Sequence, residues 1–185
     1  SSIFTPELEE ALSNCLSCRA CTTECPSNVN MALLKAELMY AKQCARGIPL
    51  RERVLGRVDR LGKMAMIAPR MTNKFLQSPV IRKLSESILG LSAQRPLPLY
   101  AEKPFGEDSL KGQRLGGKVH GRVYLWDDCF VRYNEPGIGD AAVRVLNALG
   151  YDVELLERRS CCGRPAFSTG QLELAREHAE TNVKC

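Results

Sequence analysis

Four cysteines within eleven residues are the groups in this chain best suited to chemistry. They occur as Cys15-Leu-Ser-Cys18-Arg-Ala-Cys21-Thr-Thr-Glu-Cys25, followed at once by Pro26, and are called here the first cysteine group. The spacing C-x₂-C-x₂-C-x₃-C-P is the run that holds iron–sulfur clusters in bacterial electron carriers. Two intervening residues let a tight loop wrap thiolates around a cluster, while small polar neighbours leave backbone N–H groups free to reach its sulfurs. The run therefore predicts a [4Fe–4S] cofactor with Cys15, Cys18, Cys21 and Cys25 as metal ligands.

A structural zinc site is the main alternative for these thiols. Structural zinc usually takes two ligand pairs separated by a longer insert, and the compressed run has no room for one. In two-cluster proteins the fourth cysteine of such a run binds the other cluster. We therefore expect Cys15, Cys18 and Cys21 to need a ligand from elsewhere, and Cys25 to serve a second cluster. Cys44 lies on an apolar helical pattern and is expected to be a buried structural thiol.

A second cysteine group consists of Cys129 and the adjacent pair Cys161 and Cys162. A vicinal disulfide would distort the local peptide, so the pair favours a metal or redox role. Buried cysteines without such a role are the alternative. Gly163 allows close backbone approach, and Arg164 adds positive charge that favours a thiolate. We predict a second metal or redox site at Cys129, Cys161 and Cys162.

Helical patterns surround the first cysteine group. Thr5 before Pro6 is a helix-start signal, so a short helix should precede the cysteines. Asn30 precedes apolar residues at helical spacing, which predicts a helix ending near Gly47. Prolines separate further helical segments, predicted at residues 51–66, 71–77 and 80–89.

Strand and helix patterns alternate in the last third of the chain. They predict strands at residues 122–126 and 151–156 and helices at residues 138–149 and 170–184. This order favours a parallel sheet with a right-handed crossover, at whose carboxyl edge the second cysteine group should gather. Two strands are few for a stable open sheet and the chain starts at Ser1, so we expect a piece of a longer protein.

The predicted fold class is α+β. A helical ferredoxin-like [4Fe–4S] domain is expected at residues 1–95 and a linker at residues 96–120. A partial parallel α/β cysteine-rich domain is expected at residues 121–185. No apolar run reaches the ~18 residues of a membrane span, and the start lacks a secretory signal, so a cytoplasmic location is expected.

Charge narrows the classes of partner. Residues 41–100 carry 12 basic and 3 acidic side chains. Because the basic residues alternate with apolar ones and are not interleaved with aromatics, solvated helix faces or a protein partner are favoured over nucleic acid. Peripheral contact with the inner face of a membrane is compatible with this charge. His120 and His178 are expected to be solvated, and no catalytic residue is predicted.

Three parts of the chain resemble the iron–sulfur region of FAD-linked D-2-hydroxyacid dehydrogenases, of D-lactate or D-2-hydroxyglutarate type. They are the cysteine run, the segment YNEPGIGDAAVRVLNALGYDVEL and the segment SCCGRPAFSTG. The chain is also similar to the iron–sulfur subunits of glycolate oxidase and anaerobic glycerol-3-phosphate dehydrogenase and to heterodisulfide reductase, which share a cysteine-rich "CCG" domain. In the fused family, FAD-binding and catalytic domains precede this region, and a later C-x-x-C completes the CCG site. Neither feature is present in these 185 residues.

The resemblance implies an electron-transfer module. By this resemblance Cys15, Cys18 and Cys21 hold one [4Fe–4S] cluster and Cys25 contributes to another. The second cysteine group forms half of a site for a non-cubane cluster, zinc or a thiol relay. Electrons pass from FAD, in a dehydrogenase domain or subunit outside this chain, to a quinone or another carrier. The alternatives are a subunit of a glycolate, glycerol-3-phosphate or heterodisulfide oxidoreductase, and a zinc-stabilised interaction module.

Overall fold

The computed structural model describes residues 5–111 and 120–184. The described part is mostly helical with one small parallel sheet, which is compatible with the predicted α+β class. None of its helices is both long and apolar enough to cross a membrane. The strands are β1 (Gly121–Leu125) and β2 (Tyr151–Leu155). The helices are α1 (Pro6–Ser13), α2 (Cys21–Glu24), α3 (Met31–Arg46), α4 (Leu50–Leu55), α5 (Val58–Ala65), α6 (Pro69–Gln77), α7 (Pro79–Leu89), α8 (Glu107–Leu110), α9 (Cys129–Tyr133), α10 (Pro136–Ala148), α11 (Arg164–Ser168) and α12 (Leu172–Val183).

Contacts divide the chain into two compact units. The first contains Ser1–Arg57 and Cys162–Glu180, and the second contains Val58–Cys161 and Thr181–Cys185. Both units therefore combine segments that are far apart in the sequence. The three-part division at residues 95 and 120 stays a prediction.

Capping side chains start the helices of the first unit where the sequence predicts. The Thr5 hydroxyl accepts a hydrogen bond from the N–H of Leu8 at 3.3 Å. The Asn30 side chain accepts one from the N–H of Leu33 at 3.0 Å. Gly47, with φ of 83°, ends α3 in a conformation that favours glycine. The predicted starts of α1 and α3 and the predicted end of α3 are confirmed.

A late segment of the chain returns to pack on α3 in the same unit. The amide of Gln43 donates a hydrogen bond to the carbonyl of Thr169 at 2.7 Å. Gly170 has φ of 76°, and a Cβ there would lie 2.5 Å from the Cβ of Met39. Only glycine therefore allows this close approach of the turn to the helix.

The single helix predicted over residues 51–66 is wrong, because the structure interrupts it at Gly56 between α4 and α5. A Cβ at Gly56 would collide with the side chain of Gln171. That side chain donates from its Nε2 to the carbonyl of Glu52 at 2.6 Å. A polar contact from a distant part of the chain therefore accompanies the break, and helical periodicity cannot indicate such a contact.

The parallel sheet and the main apolar cluster lie in the second unit. β1 pairs with β2 in register from Gly121 opposite Tyr151 to Leu125 opposite Leu155, which confirms the predicted parallel pairing. Gly139 of α10 has no Cβ, which leaves room for the ring of Phe105. The cluster comprises Phe105, Leu110, Val143, Val153 and Leu155.

Phe105 lies in the predicted linker at residues 96–120. It is only 2% exposed, so this part of the linker belongs to the apolar cluster. Residues 112–119 of that linker lie outside the described residues. Cys185 also lies outside them, and α12 ends at Val183, one residue before the predicted end of the last helix at residue 184.

Candidate metal centre

The loop that carries the first cysteine group bends sharply around its thiols. Ser17 and Arg19, on either side of Cys18, have φ of 54° and 63°. Such left-handed backbone is uncommon for residues other than glycine. Cys18 is exposed and the other three cysteines are partly exposed. The Lys35 ammonium donates to the carbonyl of Cys15 at 2.6 Å, which ties the start of the loop to α3.

Backbone amides donate to two of these sulfurs. The N–H of Met31 donates to Cys21 Sγ at 3.3 Å. Met31 is the first residue of the sixteen-residue helix α3, so this sulfur lies at the positive end of a helix. Hydrogen bonds from the backbone of Val29 and Ser27 lower the pKa of the Cys25 thiol below its usual range. The backbone hydrogen bonds to Cys25 favour its thiolate, which is the form that binds metals.

The donor chemistry of the first cysteine group fits an iron–sulfur cluster. Thiolates select soft metals and iron–sulfur clusters over hard cations. Hydrogen bonds from backbone amides to sulfur are among the features that set cluster potentials. The sequence predicts both the ligands and such amide donors. The assignment of the four cysteines as ligands stays a prediction.

A cavity of about 430 Å³ lies beside this loop within the first unit. Cys18 and Arg19 line it, together with Cys162, Gly163 and Arg164. The structure therefore brings one thiol from each cysteine group to the same cavity. The two arginines add positive charge near both thiols. Sequence reasoning missed this proximity, because the two segments lie near opposite ends of the chain.

Gly163 packs closely against a helix of the same unit. It has φ of 78°, and a Cβ there would lie 3.3 Å from the carbonyl oxygen of Ala175 and 3.6 Å from the Cβ of His178. The close approach expected of Gly163 is thus to α12. His178 is 9% exposed, so the expectation that it is solvated is wrong. The close packing of the Gly163 backbone beside His178 contributes to this burial.

Cys44 is exposed, so the prediction of a buried structural thiol is also wrong. The buried residues of α3 are Ala32, Ala36 and Gln43. Successive residues of a helix project about 100° apart, because a turn contains 3.6 residues. Cys44 therefore lies outside the buried stripe even though its neighbour Gln43 lies within it.

The second cysteine group follows the two strands. Cys129 is the first residue of α9, whose N-cap Asp128 accepts a hydrogen bond from the N–H of Val131 at 2.8 Å. Cys161 is buried and follows β2. The strands end in register, so the segments leading to Cys129 and Cys161 leave the same edge of the sheet. The gathering of the thiols at that edge stays a prediction. Both residues belong to the second unit, whereas Cys162 belongs to the first.

A buried ion triad, called here the Asp127 triad, joins these two segments. It consists of Asp127, Arg132 and Arg159. The Asp127 side chain is fully buried and accepts hydrogen bonds from Arg132 Nε at 2.6 Å and from Arg159 Nε. Burial alone raises the pKa of Asp127, but the two guanidinium groups outweigh it, and the pKa lies below its usual range. Sequence reasoning missed this triad, whose signal is the presence of charged residues within three positions of Cys129 and Cys161.

The comparisons with known proteins relate this cysteine-rich chain to oxidoreductases. Residues 123–185 match a family model described as a cysteine-rich domain. The chain is 31% identical over 222 residues to one subunit of the anaerobic glycerol-3-phosphate dehydrogenase of Escherichia coli (strain K12), with 95% of this chain covered. It is 28% identical over 165 residues to D-2-hydroxyglutarate dehydrogenase of the same strain, with 83% covered. It is 28% identical over 196 residues to one subunit of the fumarate reductase (CoM/CoB) of Methanothermobacter marburgensis, with 92% covered.

These matches confirm the resemblance predicted from the cysteine motifs and the relationship to oxidoreductases. The chain spans 56%, 16% and 38% of the lengths of these three relatives, in the same order. No solved structure matches the chain significantly.

Proposed function

We propose that this chain is the iron–sulfur electron-transfer region of a larger FAD-linked D-2-hydroxyacid dehydrogenase. The observation that carries the proposal is the first cysteine group, with four thiols on one sharply bent loop. Backbone amides donate to the sulfurs of Cys21 and Cys25. The similarity to D-2-hydroxyglutarate dehydrogenase supports the substrate class.

The chain's own residues would have distinct tasks in this function. Cys15, Cys18 and Cys21 would hold one [4Fe–4S] cluster, and Cys25 would contribute to another. When bound, such a cluster accepts and releases one electron at a time. The N–H of Met31 would hold the Cys21 sulfur by a hydrogen bond. The exposed position of Cys18 would place the site near the surface, where a partner can approach.

The parent protein would carry out the substrate chemistry. A D-2-hydroxy acid would lose two electrons and two protons and become a 2-oxo acid. FAD, in a preceding domain or a partner protein, would take up both electrons. A quinone or another carrier would finally accept two electrons and two protons, so the overall reaction balances. The present chain would conduct the electrons between these two groups.

Anaerobic reconstitution with ferrous iron and sulfide tests the cluster. We expect a brown chain that contains iron and acid-labile sulfide and gives a low-temperature paramagnetic signal when reduced. Cys18→Ser should remove this signal, because it deletes a thiolate ligand. Cys44→Ser is the matched control, since it makes the same change at another exposed cysteine, and it should keep the signal. A colourless wild-type chain with stoichiometric zinc would contradict the proposal and favour the zinc-stabilised interaction module.

An iron–sulfur subunit of a glycerol-3-phosphate oxidoreductase is a second candidate, favoured by the 95% coverage of the match to the anaerobic glycerol-3-phosphate dehydrogenase. The parent protein, purified with its FAD-binding component, distinguishes the two candidates. Reduction of its visible absorbance by D-lactate or D-2-hydroxyglutarate supports the first candidate. Reduction by glycerol 3-phosphate, and by neither of these hydroxy acids, supports the second candidate.

The second cysteine group forms, in this proposal, part of a further thiolate site. Cys129, Cys161 and Cys162 would contribute its ligands. Cys161 is buried, which supports a role inside the protein rather than at its solvent-exposed surface. Loss of bound metal in Cys161→Ser, with the signal of the first cysteine group retained, is the expected result.

A further inference from the structure

The Asp127 triad crosses between the two segments that carry Cys129 and Cys161. Asp127 lies two residues beyond the end of β1 and two residues before Cys129. Arg159 lies beyond the end of β2 and two residues before Cys161. One fully buried carboxylate therefore bonds both segments at the edge of the sheet where they emerge.

The same carboxylate also bonds an arginine within its own segment, on the other side of Cys129. Arg132, three residues after Cys129, donates to Asp127 from Nε at 2.6 Å and from Nη2 at 3.2 Å. Cys129 thus lies between the two partners of an ion pair. Asp128 holds the first turn of α9 by accepting from the N–H of Val131. The backbone around Cys129 is fixed from both sides.

The Cys161 segment is held as tightly. Arg159 also donates from Nη1 to the carbonyl of Leu156 at 2.6 Å. The side chain of Asn182 accepts from the N–H of Ser160 at 2.7 Å and donates to the carbonyl of Cys161 at 2.9 Å. These contacts hold the peptide groups before and after the Cys161 side chain.

We propose that Asp127 is a positioning residue for a thiolate-bound soft metal or metal cluster at Cys129 and Cys161. The inference rests on the second thiolate site of the proposed function. A buried carboxylate shared by two guanidinium groups has few alternative geometries, so it fixes the separation of the two cysteine segments. The triad thereby holds the Cys129 segment and the Cys161 segment at one edge of the sheet.

Cobalt(II) is a direct probe of such a site, because thiolate-to-cobalt charge transfer gives a visible spectrum. The oxygen-free full-length chain is titrated with Co²⁺, and the part of the spectrum that Cys161→Ser removes is assigned to the second cysteine group. We expect Asp127→Asn to weaken this part of the binding by about 10–100-fold, as loss of an outer residue at a metal site does. We also expect Asp127→Glu, which keeps the charge, to restore part of the affinity.

Two controls separate positioning from stability. Asp128→Asn makes the same change at the adjacent carboxylate, and Asn is an equally good helix cap, so it should bind Co²⁺ as the wild type does. Val143→Ala truncates a buried side chain of the apolar cluster without touching the triad, and it should lower stability while keeping the affinity and the spectrum. If Asp127→Asn does not fold, Arg159→Lys replaces it. Lysine keeps the charge but lacks the planar fork, and we expect it to weaken Co²⁺ binding as well.

Three outcomes overturn the inference. The first is an unchanged Co²⁺ affinity in Asp127→Asn, or in Arg159→Lys where Asp127→Asn does not fold. The second is an equal loss in Val143→Ala, which shows that stability alone explains the effect. The third is a wild-type spectrum with no part that Cys161→Ser removes. In that case the second thiolate site fails, while the Cys18→Ser experiment still decides separately on the cluster of the first cysteine group.

Discussion

The two cysteine groups place their thiols by different physical means. The first cysteine group lies on a continuous stretch of eleven residues, and two of its sulfurs receive hydrogen bonds from nearby backbone amides. The second cysteine group lies on segments separated by a helix and a strand. Two of its members, Cys129 and Cys161, depend on parallel strand pairing and on the Asp127 triad for their placement.

This difference teaches where each site is vulnerable. A local loop keeps its geometry as long as its own turns and the start of α3 are intact. A site assembled from distant segments needs the whole unit to be folded, because loop closure and strand pairing must precede it. Changes in the second unit should therefore affect Cys129 and Cys161 and leave the first cysteine group unchanged. The following variants test this contrast.

The largest expected effect is on stability, in Asp127→Ala. Removing the carboxylate leaves two buried guanidinium groups without their partner, and breaking a buried pair in this way costs about 3–5 kcal/mol of unfolding free energy. Chemical denaturation followed by circular dichroism measures the change. Glu102→Ala is the control, because Glu102 pairs with Arg70 at 2.9 Å on the surface, with both side chains largely exposed, and it should change stability little. Equal losses in the two variants would contradict a special role for the buried triad.

Acid should weaken the same triad. The pKa of Asp127 is lower in the folded chain than in the unfolded chain. Its contribution to stability is therefore complete above the unfolded pKa of ~3.9 and is lost as the pH falls through the folded value. We expect the unfolding free energy to fall less between pH 5 and pH 3 in Asp127→Asn than in the wild type. Chemical denaturation at the two pH values measures this difference.

A smaller effect is expected at the helix that borders the first cysteine group. Asn30→Ala removes the cap of α3 and should cost about 1 kcal/mol. Because Cys21 Sγ accepts from the first residue of that helix, the variant should also retain less iron after reconstitution. Thr5→Ala removes the comparable cap of α1. In the described residues α1 donates to no cysteine sulfur, so this variant should retain iron fully. Equal iron retention in both variants would show that the α3 cap does not support the loop.

A sharper test of the same loop is Met31→Pro, which deletes one N–H donor at a position where helices accept proline. A hydrogen bond to a charged group is worth ~1.5–3 kcal/mol, and only a fraction of it changes on reduction. The reduction potential of the reconstituted cluster should therefore become more negative by about 20–60 mV, since 59 mV corresponds to about 1.4 kcal/mol for one electron. Redox titration followed by paramagnetic resonance measures the shift. Met31→Ala keeps the N–H and should leave the potential unchanged.

The smallest expected effect is the acidity of Cys25 in the metal-free chain. Its pKa is lowered by backbone hydrogen bonds from Val29 and Ser27, so its thiolate forms at lower pH than an ordinary thiol, whose pKa is ~8.5. Alkylation by iodoacetamide, mapped by mass spectrometry over a pH series, should show a half-maximal rate for Cys25 below that value. A midpoint at or above ~8.5 would show that the amides do not favour the thiolate in solution.

The sequence by itself determined the local features of this protein. Capping residues such as Thr5 and Asn30 specify where helices begin, because they satisfy the first free N–H groups of a helix. The spacing of the first cysteine group predicts its chemistry because its four cysteines share one short loop. The parallel order of β1 and β2 also follows from the strand–helix–strand pattern.

Only the tertiary structure decided which distant residues meet. It brought Cys162 to the cavity beside Cys18, interrupted the helix predicted over residues 51–66, and buried Asp127 between two arginines. It also placed Cys44 outside the buried face of its helix. Local propensity depends on a few neighbouring dihedral angles, whereas these contacts depend on how whole segments pack. No spacing or periodicity along a single chain records that packing.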